Sequence, residues 1–265
     1  MARSHINIRL ASALILLAVV AAVCAALGNW QLDRAAEREA ISAAIETGRQ
    51  SPPLTLQPDT ATDELKNWRP AQAEGIWLPE FTVLLDNRNY NGRPGFWVAT
   101  PLLLDTSSRA ALLVLRGWLP RPVGPEGQLP DLTPPTGPQK VSGNLLERVP
   151  RLFELRSFSG PSPSALPKAF PAADAAPPRV QNLDLADYEA ATGLKLMPVV
   201  LEQTSEGEGD HRLNRNWPLP PTDSDTNRGY ALQWFSFAAI AIGAWIVIVW
   251  RTLRRRARKP DIRSH

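Results

Sequence analysis

Leu10–Leu32 reads LASALILLAVVAAVCAALGNWQL, and Gly229–Trp250 reads GYALQWFSFAAIAIGAWIVIVW. Neither run carries a charge, and each is longer than the roughly 20 residues a helix needs to cross the hydrocarbon core of a bilayer. Together they set the fold class: a membrane protein with two transmembrane helices flanking one large domain. The expected organisation is an N-terminal arm at 1–9, a first span at 10–32, a domain at 33–228, a second span at 229–250 and a basic tail at 251–265.

The flanks predict the orientation. Arg3 and Arg9 precede the first span, and Arg251, Arg254, Arg255, Arg256, Arg258, Lys259 and Arg263 follow the second. Short Lys- and Arg-rich flanks stay in the cytoplasm, whereas long loops translocate largely regardless of charge. Both termini are therefore expected in the cytoplasm. The domain is expected outside it, in the periplasm of a bacterial inner membrane if the source is Gram-negative. The whole chain carries +3, yet residues 33–228 hold 20 Lys/Arg against 25 Asp/Glu. The basicity lies in the tails, beside anionic lipid, and the acidic domain argues against a nucleic-acid partner.

A cleaved leader would have a shorter apolar core and an A-x-A site. The first run is long and ends in Gly28-Asn29-Trp30-Gln31-Leu32 without one. Cys24, the only cysteine, reads as a small apolar residue inside the span. A single cysteine excludes an intramolecular disulfide and any multi-cysteine metal site.

Between the spans the chain reads mainly as antiparallel β, a sheet able to close as a small barrel, with minor helices. Gln31–Thr47 is rich in Ala, Glu and Arg and continues the first helix, with Gly48 and Pro52-Pro53 as stop signals. Strands are expected at Trp68–Trp77, Phe81–Asn87, Phe96–Leu104, Ala110–Trp118, Lys140–Leu146, Arg179–Leu185 and Lys195–Gln203. Asn91-Gly92 suits a hairpin turn with positive φ. A short helix is expected at Leu185–Thr192, with Gly193 as its C-cap. Two proline-rich stretches, Pro120–Pro138 and Pro161–Pro178, read as extended loops.

Catalytic signals are sparse. The histidines are His5, His211 and His265. No nucleophile elbow, phosphate loop, H-E-x-x-H or glycine-rich dinucleotide turn is present. His211 lies among Asp210, Arg212 and the acidic Glu206–Glu208 segment, as a surface residue would. The expectation is a protein that is not an enzyme.

The chain does carry ordered tryptophan and arginine motifs: Gly28-Asn29-Trp30-Gln31-Leu32-Asp33-Arg34, then Asn87-Arg88, then Pro94-Gly95-Phe96 leading to Thr100-Pro101. Arg116-Gly117-Trp118-Leu119-Pro120 follows, and Asn227-Arg228-Gly229-Tyr230-Ala231-Leu232-Gln233-Trp234-Phe235 opens the second span. Bland structural roles are available for each. Trp30 and Tyr230 lie where aromatic residues are enriched at membrane interfaces. Arg34 can anchor the helix among headgroups, Gly95 and Gly117 can serve turns, and Trp118 can be a core residue. At the span mouths the polar Gln31 and Gln233 are costly in apolar surroundings unless paired. Tyr230 and Trp234, one turn apart, share a helix face that can pack on the first span or line a site for a flat apolar ligand.

In this order the motifs resemble the Surfeit-locus (Surf/Shy) family of haem–copper cytochrome c oxidase assembly proteins, over both spans and the domain between them. The resemblance implies an assembly factor acting on subunit I maturation, with subunit I, other assembly factors and the lipid bilayer as partners. It also implies haem a as a cofactor, held at the span mouths by a candidate site of Trp30, Gln31, Arg34, Asn227, Arg228, Tyr230 and Trp234. Arg88, Gly95, Arg116, Gly117 and Trp118 carry the domain motifs. The family pattern H-x-x-Y-A-x-x-W opens on a histidine, the candidate iron ligand. Here that position is Asn227, and asparagine is not a usual axial ligand. The resemblance therefore implies either ligation by His211 or Tyr230, or no haem bound through that site. The alternatives in other classes are a membrane-anchored periplasmic enzyme with a non-obvious active site and a structural subunit of an envelope complex.

Overall fold

The computed structural model describes residues 2–122, 129–153, 166–167, 170–171, 176–206 and 212–257. His211, residues 123–128 of the first proline-rich stretch and most of the second lie outside the described residues. The chain forms two compact units, Met1–Ser42 with Pro220–His265, and Ala43–Leu219.

The first unit is an antiparallel helix pair. Helix α1 spans Ala2–Gln50 and helix α3 spans Asp225–Ala257. Both are long and apolar enough to cross a membrane. Their large apolar side chains point outward: Ile15, Leu16, Leu232 and Ile240 are 65%, 63%, 70% and 69% exposed. A core helix of a soluble protein would bury these groups, because each exposed one forfeits about 1.5–3 kcal/mol of burial. Exposed apolar surface along both helices fits a membrane-anchored protein. Helix α1 runs two residues past Gly48 to Gln50 and ends just before Pro52-Pro53, the other expected stop signal. Gly48 is instead a close-approach point, where a Cβ would come within 2.7 Å of Trp68 Cβ.

Among the described residues the second unit is built on eight strands: β1 Leu54–Thr55, β2 Pro70–Trp77, β3 Val83–Tyr90, β4 Arg93–Asp105, β5 Ala110–Pro120, β6 Pro138–Leu146, β7 Arg179–Val180 and β8 Lys195–Gln203. They lie in the order β1-β2-β6-β8-β5-β4-β3-β7. A further short ladder, Ile76↔Leu103 and Trp77↔Leu102, joins β2 to β4, so the pairings run in a circuit β2–β6–β8–β5–β4–β2. Asn91 (φ 49°) and Gly92 (φ 78°) form the β3–β4 hairpin turn. Helix α2, Leu185–Thr192, is capped by Asp184, whose carboxylate accepts from the Ala186 N–H at 2.9 Å, and ends at Gly193 in the left-handed region.

Two expectations need correction. The sheet is mainly antiparallel, as expected, but mixed: β1–β2, β3–β7 and β5–β8 are parallel ladders that the expectation did not include. The chain between β6 and β8 is long enough to re-enter beside β5 in the parallel sense, which a short hairpin cannot do. The strand expected at Arg179–Leu185 shrinks to Arg179–Val180. Asn182 leaves the ladder to bond the Leu152 backbone through its side chain, at 2.7 and 2.9 Å, and the Gln181 carbonyl accepts from Arg88.

β5 organises the core. Ten consecutive residues, Ala110–Leu119, are buried, as for a strand covered on both faces. On one side Leu112 and Val114 pack with Ala73, Leu102, Val141 and Leu201, a cluster drawn from all five strands of the circuit. On the other, Leu113 and Leu115 pack with Val83, Leu85, Ala99 and Tyr188 of α2.

Candidate functional site

The motif residues fall into two groups, one in each unit. In the sheet, β3, β4 and β5 bring Arg88, Gly95, Arg116, Gly117 and Trp118 to neighbouring positions. The β3–β4 register shifts between Leu85↔Trp97 and Arg88↔Gly95. The β4–β5 register shifts so that Val98 faces Gly117 and Ala99 faces Leu115, leaving Arg116 as the extra residue of a bulge.

Trp118 donates its indole N–H to the Arg88 carbonyl at 2.8 Å. It also exchanges backbone hydrogen bonds with Asn214, at 2.7 and 2.9 Å. The indole lies across Gly95, where a Cβ would sit 2.5 Å from Trp118 Nε1. A Cβ at Gly117 would sit 2.7 Å from Leu213 Cβ. Gly95 and Gly117 are thus spaces for other groups, and Trp118 is a core residue whose one polar atom is satisfied.

The two motif arginines are buried cations. Arg116 is 1% exposed. It donates to the Leu132 carbonyl at 2.7 Å and to Thr100 Oγ1 at 3.4 Å, and lies 5.5 Å from the Trp77 ring centre. Arg88 is 3% exposed. It donates to the Gln181 carbonyl at 3.1 Å and stacks 4.5 Å from the Trp97 ring centre. Burial lowers its guanidinium to about 10, so it still carries its charge at neutral pH.

One group escaped the sequence reading. Glu202 on β8 is 5% exposed, opposite Leu115 of β5 and Asn144 of β6. Desolvation raises its carboxyl to about 7, against the opposing charge of Arg49. The available signal was a single acid in the otherwise apolar run Met197–Leu201 continued by Glu202. Among the described residues, no group of three or more His, Cys, Asp or Glu comes together as a metal site.

At the mouth of the helix pair, Asn227 Nδ2 donates to Gln31 Oε1 at 2.6 Å. Arg228 pairs with Glu39 at 2.6 Å, and Arg34 with Glu37 at 2.8 Å. Arg38 donates to the Asp223 carbonyl at 2.6 Å. Trp30 and Tyr230 point away from the helix contact, each 51% exposed, with Arg34 5.8 Å from the Trp30 ring centre. Trp234 is half-buried and packs edge-on against Phe237 at 6.0 Å. Of the seven candidate mouth residues, Gln31 and Asn227 meet across the helix contact; Gln233, outside that set, is exposed.

The SURF1 family matches this chain over residues 18–239, from within the first apolar helix, through the sheet, to within the second. The chain belongs to the SURF1 family. Uncharacterised SURF1-like proteins of Mycobacterium bovis and Mycobacterium tuberculosis are each 25% identical over 238 residues, covering 88% of this chain and 80% of theirs. The cytochrome oxidase assembly protein SHY1 of Saccharomyces cerevisiae is 28% identical over 95 residues, 35% of this chain and 24% of its own. Within this SURF1 chain, the motifs lie in two separate settings: a buried sheet end and a helix-pair mouth.

Proposed function

We propose that this SURF1 chain is a membrane-bound assembly factor for haem–copper cytochrome c oxidase, acting on the maturation of subunit I. Its family membership together with the name of its yeast relative supports this reading. In this reading the protein works by holding rather than by catalysis. Its outward apolar helix faces, represented by Leu16 and Ile240, meet lipid and the helices of the oxidase subunit. Its sheet unit stands on the periplasmic side, with both chain ends in the cytoplasm. The five-strand pairing circuit is then a small barrel that offers a rigid surface with few free strand edges.

The test is genetic. Deleting the gene in its source lowers the amount of assembled haem-a-containing oxidase, read from the reduced-minus-oxidised spectrum of membranes, and a plasmid copy restores it. Unchanged oxidase content in the deletion strain overturns the proposal. Presence of the protein in stoichiometric amounts in purified mature oxidase would instead make it a structural subunit.

A further inference from the structure

The helix pair is joined along two narrow seams. On α1 the buried or half-buried positions Ala21, Cys24, Gly28, Gln31 and Ala35 recur at spacings of three and four; on α3 the same holds for Asn227, Ala231, Trp234, Ala238 and Ala241. Most of these residues are small, which lets backbones approach closely. Gly28 is the tightest point, since a Cβ there would lie 2.8 Å from the Phe235 ring. Away from the Phe235–Gly28 contact, the small residues of the seam are nearly interchangeable after a slip of one helical turn, so they set closeness better than register.

The polar pair is different. Asn227 Nδ2 and Gln31 Oε1 are 2.6 Å apart, and Asn227 Oδ1 is buried without a partner among the described residues. A one-turn slip, about 5.4 Å, breaks this bond and parts two half-buried amides that are matched only in the observed register.

We propose that Asn227 and Gln31 form a clasp that fixes the register of the two spans, so that residue 227 of this chain is a helix-pairing residue and not an iron ligand. The iron ligation that the family pattern implies at this position does not fit residue 227. An asparagine amide is not an axial ligand of the kinds haem iron uses, and its NH2 is already committed across the helix contact. The two cations beside it, Arg34 and Arg228, are engaged by Glu37 and Glu39. The clasp does not rest on the oxidase reading, because restoration of oxidase content by the native gene is measured separately.

The experiment uses the full chain in lipid nanodiscs on a Cys24→Ser background, with nitroxide labels on cysteines placed at Val20 of α1 and Ile242 of α3, both exposed. Pulsed electron-spin measurements give the distance distribution. The native pair gives one narrow distance. Gln31→Ala or Asn227→Ala broadens it or adds a second population, and the exchanged variant carrying Gln31→Asn with Asn227→Gln returns it to one. An unchanged distribution in both alanine variants, or failure of the exchanged variant to recover the single distance, overturns the clasp. In parallel, haem a is titrated into the unlabelled native protein and Asn227→His. The native protein leaves the Soret band at its free position, and Asn227→His shifts it towards imidazole ligation. A ligated Soret band in the native protein that Asn227→Ala abolishes also overturns the proposal.

Discussion

The indole of Trp118 reaches across Gly95 to donate to the carbonyl of Arg88 at 2.8 Å. Three residues from three adjacent strands thereby form one contact. Arg88 stands just past the β3 register shift, Gly95 lies near the start of β4, and Trp118 near the end of β5.

Gly95→Ala puts a methyl group 2.5 Å from the Trp118 nitrogen. The same methyl would meet the backbone carbonyl of Leu119 more closely still, so the β4–β5 ladder has to give as well as the indole. The expected cost is about 1–3 kcal/mol, the usual range for overpacking a filled core. Urea unfolding of the full chain in detergent, followed by tryptophan fluorescence, measures it as a lower midpoint with an unchanged slope.

Arg116 bridges the bulge on β5 to the Leu132 carbonyl and the Trp77 face. Arg116→Met keeps much of the volume but leaves that carbonyl without its donor, at an expected cost of about 1–3 kcal/mol. Arg116→Lys does not recover the loss, since a compact ammonium cannot both lie flat on an indole and present the guanidinium's fixed donors. A lysine variant as stable as the native protein would show that charge alone is what the position requires.

Glu202 makes stability depend on pH in a defined direction. Its carboxyl is raised from the ordinary 4.5 to about 7 in the folded chain, so the folded state holds its proton where the unfolded state has released it. Stability is full below about pH 4.5, falls as pH rises towards 7, and levels off above that. The total change is on the order of 3 kcal/mol at about 1.4 kcal/mol per pH unit. Glu202→Gln removes it: the variant matches the native protein at pH 4.5 and melts higher at pH 8. Parallel melting-temperature profiles for the two proteins across that range would exclude Glu202 as the source.

How much of this was legible in the sequence depends on where the deciding contact lies. The strands β4, β5 and β8 were legible because each is an apolar run bounded by turn residues, and the Asn91-Gly92 turn and Gly193 cap carry local signatures. The parallel β5–β8 ladder was not, because Leu113 finds Val200 only after a long crossover that leaves no local trace. The end of β7 at Val180 was equally hidden, since the side chain of Asn182 is claimed by Leu152, about 30 residues earlier in the chain. At the span mouth, the need for Gln31 to find a partner was readable from its polarity. Its choice of Asn227 over Gln233 was not, because it depends on which faces of the two helices meet. The convergence of Arg88, Gly95 and Trp118 depends on two bulges, and motif order gives no register.

The orientation of the helix pair gives the last prediction. Basic residues flank the apolar runs on the chain-terminal sides, Arg9 before the first and Arg251, Arg254 and Arg255 after the second. On α3 these last three fall within the helix, and Arg254 stacks 3.8 Å from the Trp250 ring centre, an aromatic–cation pair suited to a membrane interface. The acidic excess of residues 33–228 offers no competing retention signal, because Asp and Glu contribute little to topology. A reporter that is active only in the cytoplasm, fused after Arg255, is therefore expected to be active, and one active only in the periplasm to be silent there. The reverse is expected for fusions to a chain truncated after Thr204, which retains α1 but lacks α3. Replacing Arg251, Arg254 and Arg255 with Gln weakens the bias at the second end while the first span still exports the sheet unit. Periplasmic activity of the Arg255 fusion would mean that the second apolar helix does not cross the membrane.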